Sequence, residues 1–236
     1  MDITYRSDMT VKLIDSMGSD ASVAMAARVS TGGNTTNDSA DNSNAKDAGL
    51  LNYLMRDRHG SPFEHNAFTF YIEAPIFVFR EFMRHRIASY NEESGRYKEL
   101  APVFYVPGDD RNLIQVGKPG AYTFEPGEYF QVKSVQALTR LSSERSYELY
   151  QSMLKQGIAR EVARGVLPVN TYSSMYVTMN ARSLMNFLSL RSDEQGKFPS
   201  FPQWEIADVA RQMELIWSEK MPITHDCFVK NGRVAP

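Results

Sequence analysis

The periodicity of the chain changes at Pro75, and this change limits the folds open to it. Before the proline, Phe68, Phe70 and Ile72 recur at every second position, which predicts a strand with one buried face. After it, the run IFVFREFMRHR predicts a helix that Pro75 opens. A strand followed at once by a helix, in a chain without repeats or a clean internal boundary, favours a single α+β domain over residues 1–236.

Turn and cap signals predict the other elements. The pattern alternates weakly at 9–15 and predicts a first strand there. Asp20 is predicted to cap a helix at 20–30, and Gly60 to close a helix at 45–60. The stretch SPFEH is predicted to be a shaped loop that enters the strand. We also predict helices at 128–156, 160–168, 180–191 and 203–221, a strand at 171–179, and an irregular connection with one short strand at 101–128.

The segment STGGNTTNDSADNSN, residues 30–44, has almost no apolar side chains. Its glycine, asparagine, serine and threonine residues favour turns and cannot form a core. We predict a mobile loop at about 30–45. It is not a domain linker, because too little chain precedes it to make a domain.

Composition argues against several classes of protein. The formal net charge of −2 argues against a role in non-specific nucleic-acid binding, although Arg80 and its neighbours can form a local patch. One cysteine cannot build a disulfide framework, and no apolar run reaches the length of a membrane span. The four histidines lack zinc-site spacing, so no metal is expected. We expect a cytoplasmic protein.

A cluster of cations follows the predicted helix. Arg84, His85 and Arg86 are adjacent, and Arg80 lies one turn before them. Cations at a helix C-terminus interact favourably with its dipole, and this interpretation stays open. The alternative is an anionic ligand, because arginine binds phosphate through a fork of two donors. Ser94-Gly95-Arg96 is likewise either a polar turn or a small anion cradle.

These residues also match a known pattern. Seven residues separate Arg86 from Ser94, which gives the signature R-H-R-x7-S. The blocks SPFEHNAFTFYIEAPIFVFREFMRHRIASYNEESGRY, REVARGVLP and MNARSLMNFLSLR occur in the same order as in the flavin-dependent thymidylate synthases, the ThyX family. The chain resembles that family from about residue 46 to residue 221.

The resemblance implies a fold and a reaction. The fold is a single α+β domain of the ThyX type, with mixed helices around a small, mostly antiparallel sheet. The reaction is methylation of dUMP to dTMP, with 5,10-methylenetetrahydrofolate as carbon donor, NADPH as reductant through bound FAD, and tetrahydrofolate as product. The family implies a homotetramer with active sites at subunit interfaces. It needs no cysteine nucleophile, so Cys227 is expected to have no catalytic role.

The resemblance also assigns residues. Arg191 matches the arginine that holds the uracil ring and favours its ionised form, and it is the expected catalytic residue. The flavin-binding positions correspond to Ser61, Arg84, His85, Arg86, Glu92, Asn180, Arg182 and Asn186. The dUMP-binding positions correspond to Glu81, Arg84, Glu92, Glu93, Ser94, Gly95, Arg96, Arg164 and Arg191.

Two positions depart from the family pattern, and they keep alternatives open. Glu81 stands where many relatives have glutamine, and a carboxylate donates a hydrogen bond only when protonated. Gln195 stands where relatives often have histidine, so the folate or flavin edge is expected to differ, with His59 a candidate for the folate side. The Gln195 departure keeps open a homologue that binds dUMP without turnover. Independently, the patch from Arg84 to Arg96 keeps open a nucleic-acid-binding module.

Overall fold

The computed structural model describes residues 2–32, 43–119 and 121–236, and it has the predicted α+β class. Short 3-10 turns lie at Val29–Thr31, Ser61–Glu64 and Arg164–Val166. The strands are β1 (Thr4–Arg6), β2 (Thr10–Met17), β3 (Ala67–Pro75), β4 (Ser89–Glu92), β5 (Val103–Tyr105), β6 (Ile114–Lys118), β7 (Ala121–Glu125) and β8 (Tyr172–Met179). The helices are α1 (Asp20–Arg28), α2 (Ser43–Arg56), α3 (Ile76–Phe82), α4 (Tyr129–Lys155), α5 (Arg160–Ala163), α6 (Ala181–Arg191), α7 (Trp204–Lys220) and α8 (Pro222–Lys230).

Three small sheets organise the strands. Four strands pair in the order β2-β3-β8-β4, β1 pairs with β5 in parallel, and β6 pairs with β7 as an antiparallel hairpin. The prediction of one short strand in the irregular connection was wrong, because that connection supplies β5, β6 and β7. Its alternation is short and interrupted by proline and glycine, so the local pattern is weak, and long-range pairing fixes β5.

The chain divides into two compact units, and the prediction of a single domain stays a prediction. Unit 1 comprises Met1–Thr10, Glu73–Arg84 and Asn91–Met175. Its core joins Phe104 to the inner face of α4, where Tyr147 and Tyr150 are buried. Those tyrosines also bond the backbone of Leu100, since the Tyr147 hydroxyl donates to its carbonyl and the Tyr150 hydroxyl accepts from its N–H.

Unit 2 comprises Val11–Ile72, His85–Tyr90 and Tyr176–Pro236. The predicted inner face of β3 is confirmed, because Phe68, Phe70 and Ile72 have no exposed surface. Helices α1, α2 and α8 pack together, and α7 contacts both α6 and α8. Helix α6, which carries predicted flavin-binding residues, is held in place by this packing.

Several predicted boundaries move. Helix α2 ends before Gly60, and Arg58 takes the left-handed conformation, with a φ of 62°, in the turn that follows. Gly60 instead allows a close approach, since a Cβ there would lie 2.5 Å from the Arg182 guanidinium. The N-cap of α1 is Ser19. Asp20 is buried and accepts the N–H groups of Ile223 and Thr224 at the start of α8.

The predicted mobile loop is only partly open to comparison. Residues 33–42 lie outside the described residues, while residues 29–31 form a 3-10 turn and α2 already begins at Ser43. Helix α8 was not predicted, because Pro222 directly follows the helix at 203–221 and the two helices meet without a loop. No helix in the described ranges has the length and apolar character needed to cross a membrane.

Candidate active site

A cavity of about 380 Å³ in unit 1 gathers residues from four separate parts of the chain. Arg80 comes from α3, Glu92 from β4, Arg164 from the turn after α5, and Ser173 from β8. The volume lies in the range of small-molecule sites, roughly 300 to 1,000 Å³. We name it the nucleotide-side cavity. Its wall also includes Glu93, Gly95 and Glu161.

Glu92 is the partly buried carboxylate of this cavity. Burial raises its pKa, the Ser173 hydroxyl donates a hydrogen bond that opposes the rise, and the charge of Glu93 adds to it. Arg164 and Arg80 both lower the pKa through their positive charge. The two arginines and the carboxylate therefore act on one another across the cavity.

The turn after β4 has the compact form that its glycine suggests. The Ser94 hydroxyl accepts the N–H of Arg96 at 3.3 Å, and the Ser94 carbonyl accepts the N–H of Tyr97 at 3.1 Å. Gly95 is buried, and a Cβ there would lie 2.9 Å from Leu100 and 3.2 Å from Cδ of Arg164. A larger residue at this position would therefore push the Leu100 and Arg164 side chains away from the turn.

Two ion pairs border the cavity. Arg96 Nε donates to Glu161 at 2.8 Å, and Lys98 lies 3.0 Å from Glu93. The side chains of Arg96 and Glu161 are 54% and 52% exposed. An exposed pair of this kind contributes only about 0 to 1 kcal/mol, so an incoming anion can replace it.

The helix before the signature is shorter than predicted. Helix α3 ends at Phe82, so Arg84 and the two residues after it lie beyond its last turn. The interpretation of Arg84 and Arg86 as last-turn cations is therefore wrong, and only Arg80 occupies that turn. Arg84 and Arg86 are exposed, and Glu81 is partly buried on α3.

Helix α6 in unit 2 holds the second set of predicted residues. Asn180 is its N-cap, and the side-chain oxygen accepts the N–H of Ser183 at 2.9 Å. Arg182 donates to the Pro236 carbonyl at 2.8 Å and to Glu64. The Asn186 amide donates to the Arg182 carbonyl at 3.2 Å. Arg182 and Asn186 therefore share one face, as predicted from their spacing.

Arg191 and His85 meet in unit 2. Arg191 Nε donates to His85 Nε2 at 3.1 Å, and the His85 ring lies edge-on to Phe187 with 5.0 Å between centroids. Because Nε2 accepts a hydrogen bond, the neutral imidazole must carry its proton on Nδ1. The geometry thus links the predicted catalytic arginine to the central residue of the signature.

The comparisons with known proteins identify the family. The family model of the thymidylate synthase complementing protein matches residues 12–223. The flavin-dependent thymidylate synthase of Streptomyces avermitilis is 57% identical over 99% of this chain and 96% of its own, and that of Tropheryma whipplei strain TW08/27 is 55% identical over 100% and 98%. The chain belongs to the flavin-dependent thymidylate synthase family.

A solved structure agrees with this assignment. The UMP/dUMP methylase PolB from Streptomyces cacaoi, bound with 5-Br dUMP, is 50% identical to the chain with a TM-score of 0.94, covering 99% of this chain and 100% of its own. These relatives confirm the expected family, its α+β fold and its class as flavin-dependent methyltransferases. The family model begins well before residue 46, so the likeness extends further than the signature blocks indicated.

The donor set in unit 2 fits the flavin that the family name implies. A flavin dinucleotide offers a pyrophosphate and carbonyl oxygens, which guanidinium, amide and hydroxyl groups bind. Arg182 is 40% exposed despite its bonds to Glu64 and Pro236, Asn186 and Ser61 are exposed, and Arg86 also lies at the surface. These residues can reach a ligand without unfolding any element.

Three polar or charged side chains of the cavity were not among the predicted site residues. Arg80 was noted only as part of a positive patch, and Ser173 and Glu161 carried no local signal in the sequence. The i,i+4 spacing of Arg80 and Arg84 was the one available hint, since like charges so placed call for an anionic partner. His59 is exposed, and its ring lies 5.6 Å from that of Tyr53.

Cys227 shows the properties of a structural thiol. It is buried, and burial, followed by the negative charges of Asp20 and Asp226, raises its pKa to about 11. A thiol with this pKa is almost entirely protonated at neutral pH and is a poor nucleophile. The expectation that Cys227 has no catalytic role stays a prediction.

Proposed function

We propose that this chain is a flavin-dependent thymidylate synthase that converts dUMP to dTMP. In this proposal 5,10-methylenetetrahydrofolate donates the carbon, NADPH is the reductant, and tetrahydrofolate is released. The flavin, when bound, supplies the redox chemistry that the amino acids cannot. One observation carries the proposal: the nucleotide-side cavity brings Glu92, Glu93, Gly95 and Arg164 together in a chain that is alike, over its whole length, to a methylase bound with 5-Br dUMP.

In this function the residues of unit 1 bind the nucleotide. Arg164 and Arg96 would bind the phosphate dianion through their guanidinium forks. The exposed pairing of Arg96 with Glu161 holds the guanidinium near the cavity until the phosphate arrives. Glu81, Arg84 and the residues from Glu92 to Gly95 would contact the rest of dUMP. Glu92 supplies a carboxylate acceptor for donor groups of the nucleotide or cofactor.

In unit 2 the residues would hold the flavin and polarise the pyrimidine. The flavin would be bound there by Ser61, His85, Arg86, Asn180, Arg182 and Asn186. The predicted flavin contacts of Arg84 and Glu92 belong to unit 1. Arg191 would stand beside the uracil and stabilise the negative charge that develops on the ring. Its bond to His85 keeps the guanidinium oriented before substrate arrives.

The long helix α4 supports assembly into a homo-oligomer, which we propose is a tetramer with active sites at subunit interfaces. Its outer face exposes apolar side chains, with Phe130 70%, Leu138 63% and Leu141 63% exposed. Exposed apolar side chains along one helix face are typical of a surface that another chain covers. Leu138→Glu combined with Leu141→Glu should lower the mass measured by light scattering, whereas Leu215→Glu, an exposed residue of α7, should leave it unchanged.

The decisive experiment is an anaerobic assay with added FAD. NADPH oxidation is followed with dUMP and methylenetetrahydrofolate present, and dTMP is measured directly. Flavin bleaching with dTMP formed supports the synthase. Flavin bound without dTMP points to a homologue that has lost turnover. Failure to bind flavin would refute the proposal and direct attention to nucleic-acid binding by the arginine patch.

A further inference from the structure

A buried charged cluster in unit 2 has no part in the proposed binding sites. Arg233 and Glu214 are each 8% exposed and form an ion pair. His225 bonds the second oxygen of Glu214 at 3.0 Å, and its ring lies edge-on to Trp217. A buried ion pair loses much hydration, so it is weak evidence for a purely stabilising role.

The backbone of Arg233 is also unusual. Its φ is 57°, a left-handed conformation that is uncommon for residues other than glycine. The conformation is fixed by the bond from its N–H to the Phe228 carbonyl, at 2.8 Å, and by the guanidinium over the Phe228 ring. Such strained positions persist where the surroundings determine them, and they concentrate at functional sites.

The guanidinium of Arg233 contacts the end of helix α6. It donates to the Ser192 hydroxyl at 3.1 Å, and Ser192 is 2% exposed. Ser192 is the C-cap residue directly after Arg191. Its hydroxyl also accepts the N–H of Glu194 at 3.2 Å, and its carbonyl accepts from the Ser200 hydroxyl at 3.1 Å. The residue after the predicted catalytic arginine is therefore fixed from three sides.

We propose that Arg233 is a positioning residue that acts through Ser192 on Arg191. Helix ends fray unless their groups are tied, and Arg191 is the last residue of α6. The Arg233–Ser192 bond holds this last turn so that Arg191 Nε reaches His85 Nε2. Glu214 neutralises the charge of Arg233 and orients it. The role of Arg191 in turnover rests on the proposed function, whereas the geometric link does not.

The sharpest variant is Ser192→Ala, because it removes the link and leaves the buried ion pair intact. We expect kcat to fall by about 10-fold or more while the KM for dUMP changes by less than about three-fold, since a small misplacement of a catalytic group costs rate more than binding. Arg233→Met should show the same split, and Arg233→Lys should recover part of the rate. Ser189→Ala, one turn earlier in α6, is the matched control.

Two outcomes overturn the inference. One is a kcat of Ser192→Ala equal to that of wild type, or lowered equally in Ser189→Ala. The other is a crystal structure of Ser192→Ala in which Arg191 still bonds His85. That structure tests the link even if wild type forms no dTMP, which would instead refute the proposed function. If Arg233→Met fails to fold, Ser192→Ala still decides the matter.

Discussion

The two units hold their predicted site residues by different kinds of interaction. In unit 1, Arg96 pairs with the exposed carboxylate of Glu161 and Glu93 pairs with the exposed Lys98, beside an open cavity. In unit 2, Arg191 is held by an imidazole and by a cap residue with almost no exposure. Exposed pairs exchange partners at little cost, whereas buried bonds are costly to leave unmade. The cavity of unit 1 is therefore suited to exchanging an anion, and the end of α6 in unit 2 is suited to keeping its geometry.

Arg164→Met should give the largest effect, and it tests this difference between the two units directly. Loss of a forked guanidinium should weaken dUMP binding by about 100-fold, as expected for a charge-assisted pair worth up to about 3 kcal/mol. FAD affinity should change by less than about two-fold. Calorimetric titration measures the first value and quenching of flavin fluorescence the second. Arg140→Met, an exposed arginine of α4 outside the nucleotide-side cavity, is the control. Equal losses in both variants would contradict the assignment.

Arg182→Met should show the opposite pattern, in which FAD affinity falls more than dUMP affinity. FAD affinity should fall by about 10-fold, because one charged hydrogen-bond donor is lost from a set of several. The affinity for dUMP should stay within about two-fold. Arg211→Met provides the control, since Arg211 is exposed on α7 and pairs only with surface carboxylates among the described residues. If Arg182→Met leaves FAD binding intact, the flavin assignment of α6 fails.

Glu92→Gln should alter the pH dependence of stability. Burial raises the pKa of Glu92 above its ordinary 4.5, so the unfolded chain loses this proton before the folded one does. Wild type therefore loses stability as pH rises from about 4.5 through the folded pKa, and the glutamine variant does not. Between pH 4 and pH 8, the melting temperature of the variant should rise relative to that of wild type. Glu219→Gln is the surface control. A difference in melting temperature between Glu92→Gln and wild type that does not change with pH would exclude this effect of Glu92 burial.

Cys227→Ala should have the smallest effect, changing both affinities by less than about two-fold. With its pKa raised to about 11 by burial, the thiol of native Cys227 should react with a disulfide reagent at least about 100-fold more slowly than in unfolded protein. Rapid labelling of the native chain with loss of turnover would show that the thiol takes part in function.

Part of the site followed from local sequence. The pairing of Arg182 with Asn186 and the inner face of β3 are both set by spacing along one element. Such spacing fixes which side chains share a face before any tertiary contact forms. The helix predicted at 128–156 is confirmed as Tyr129–Lys155. Gly157, the residue predicted to end it, takes a left-handed φ of 78°.

The family resemblance, the α+β class and the residues that share an element could therefore be predicted from the sequence. The folded structure was needed to show that Arg80 and Ser173 face Glu92, that β5 pairs with β1, and that Arg233 reaches Ser192. These contacts join residues that are far apart in the chain, so no periodic pattern in the sequence predicts them. They depend on the packing of whole helices and strands, which outweighs local preference wherever burial and hydrogen bonding are at stake.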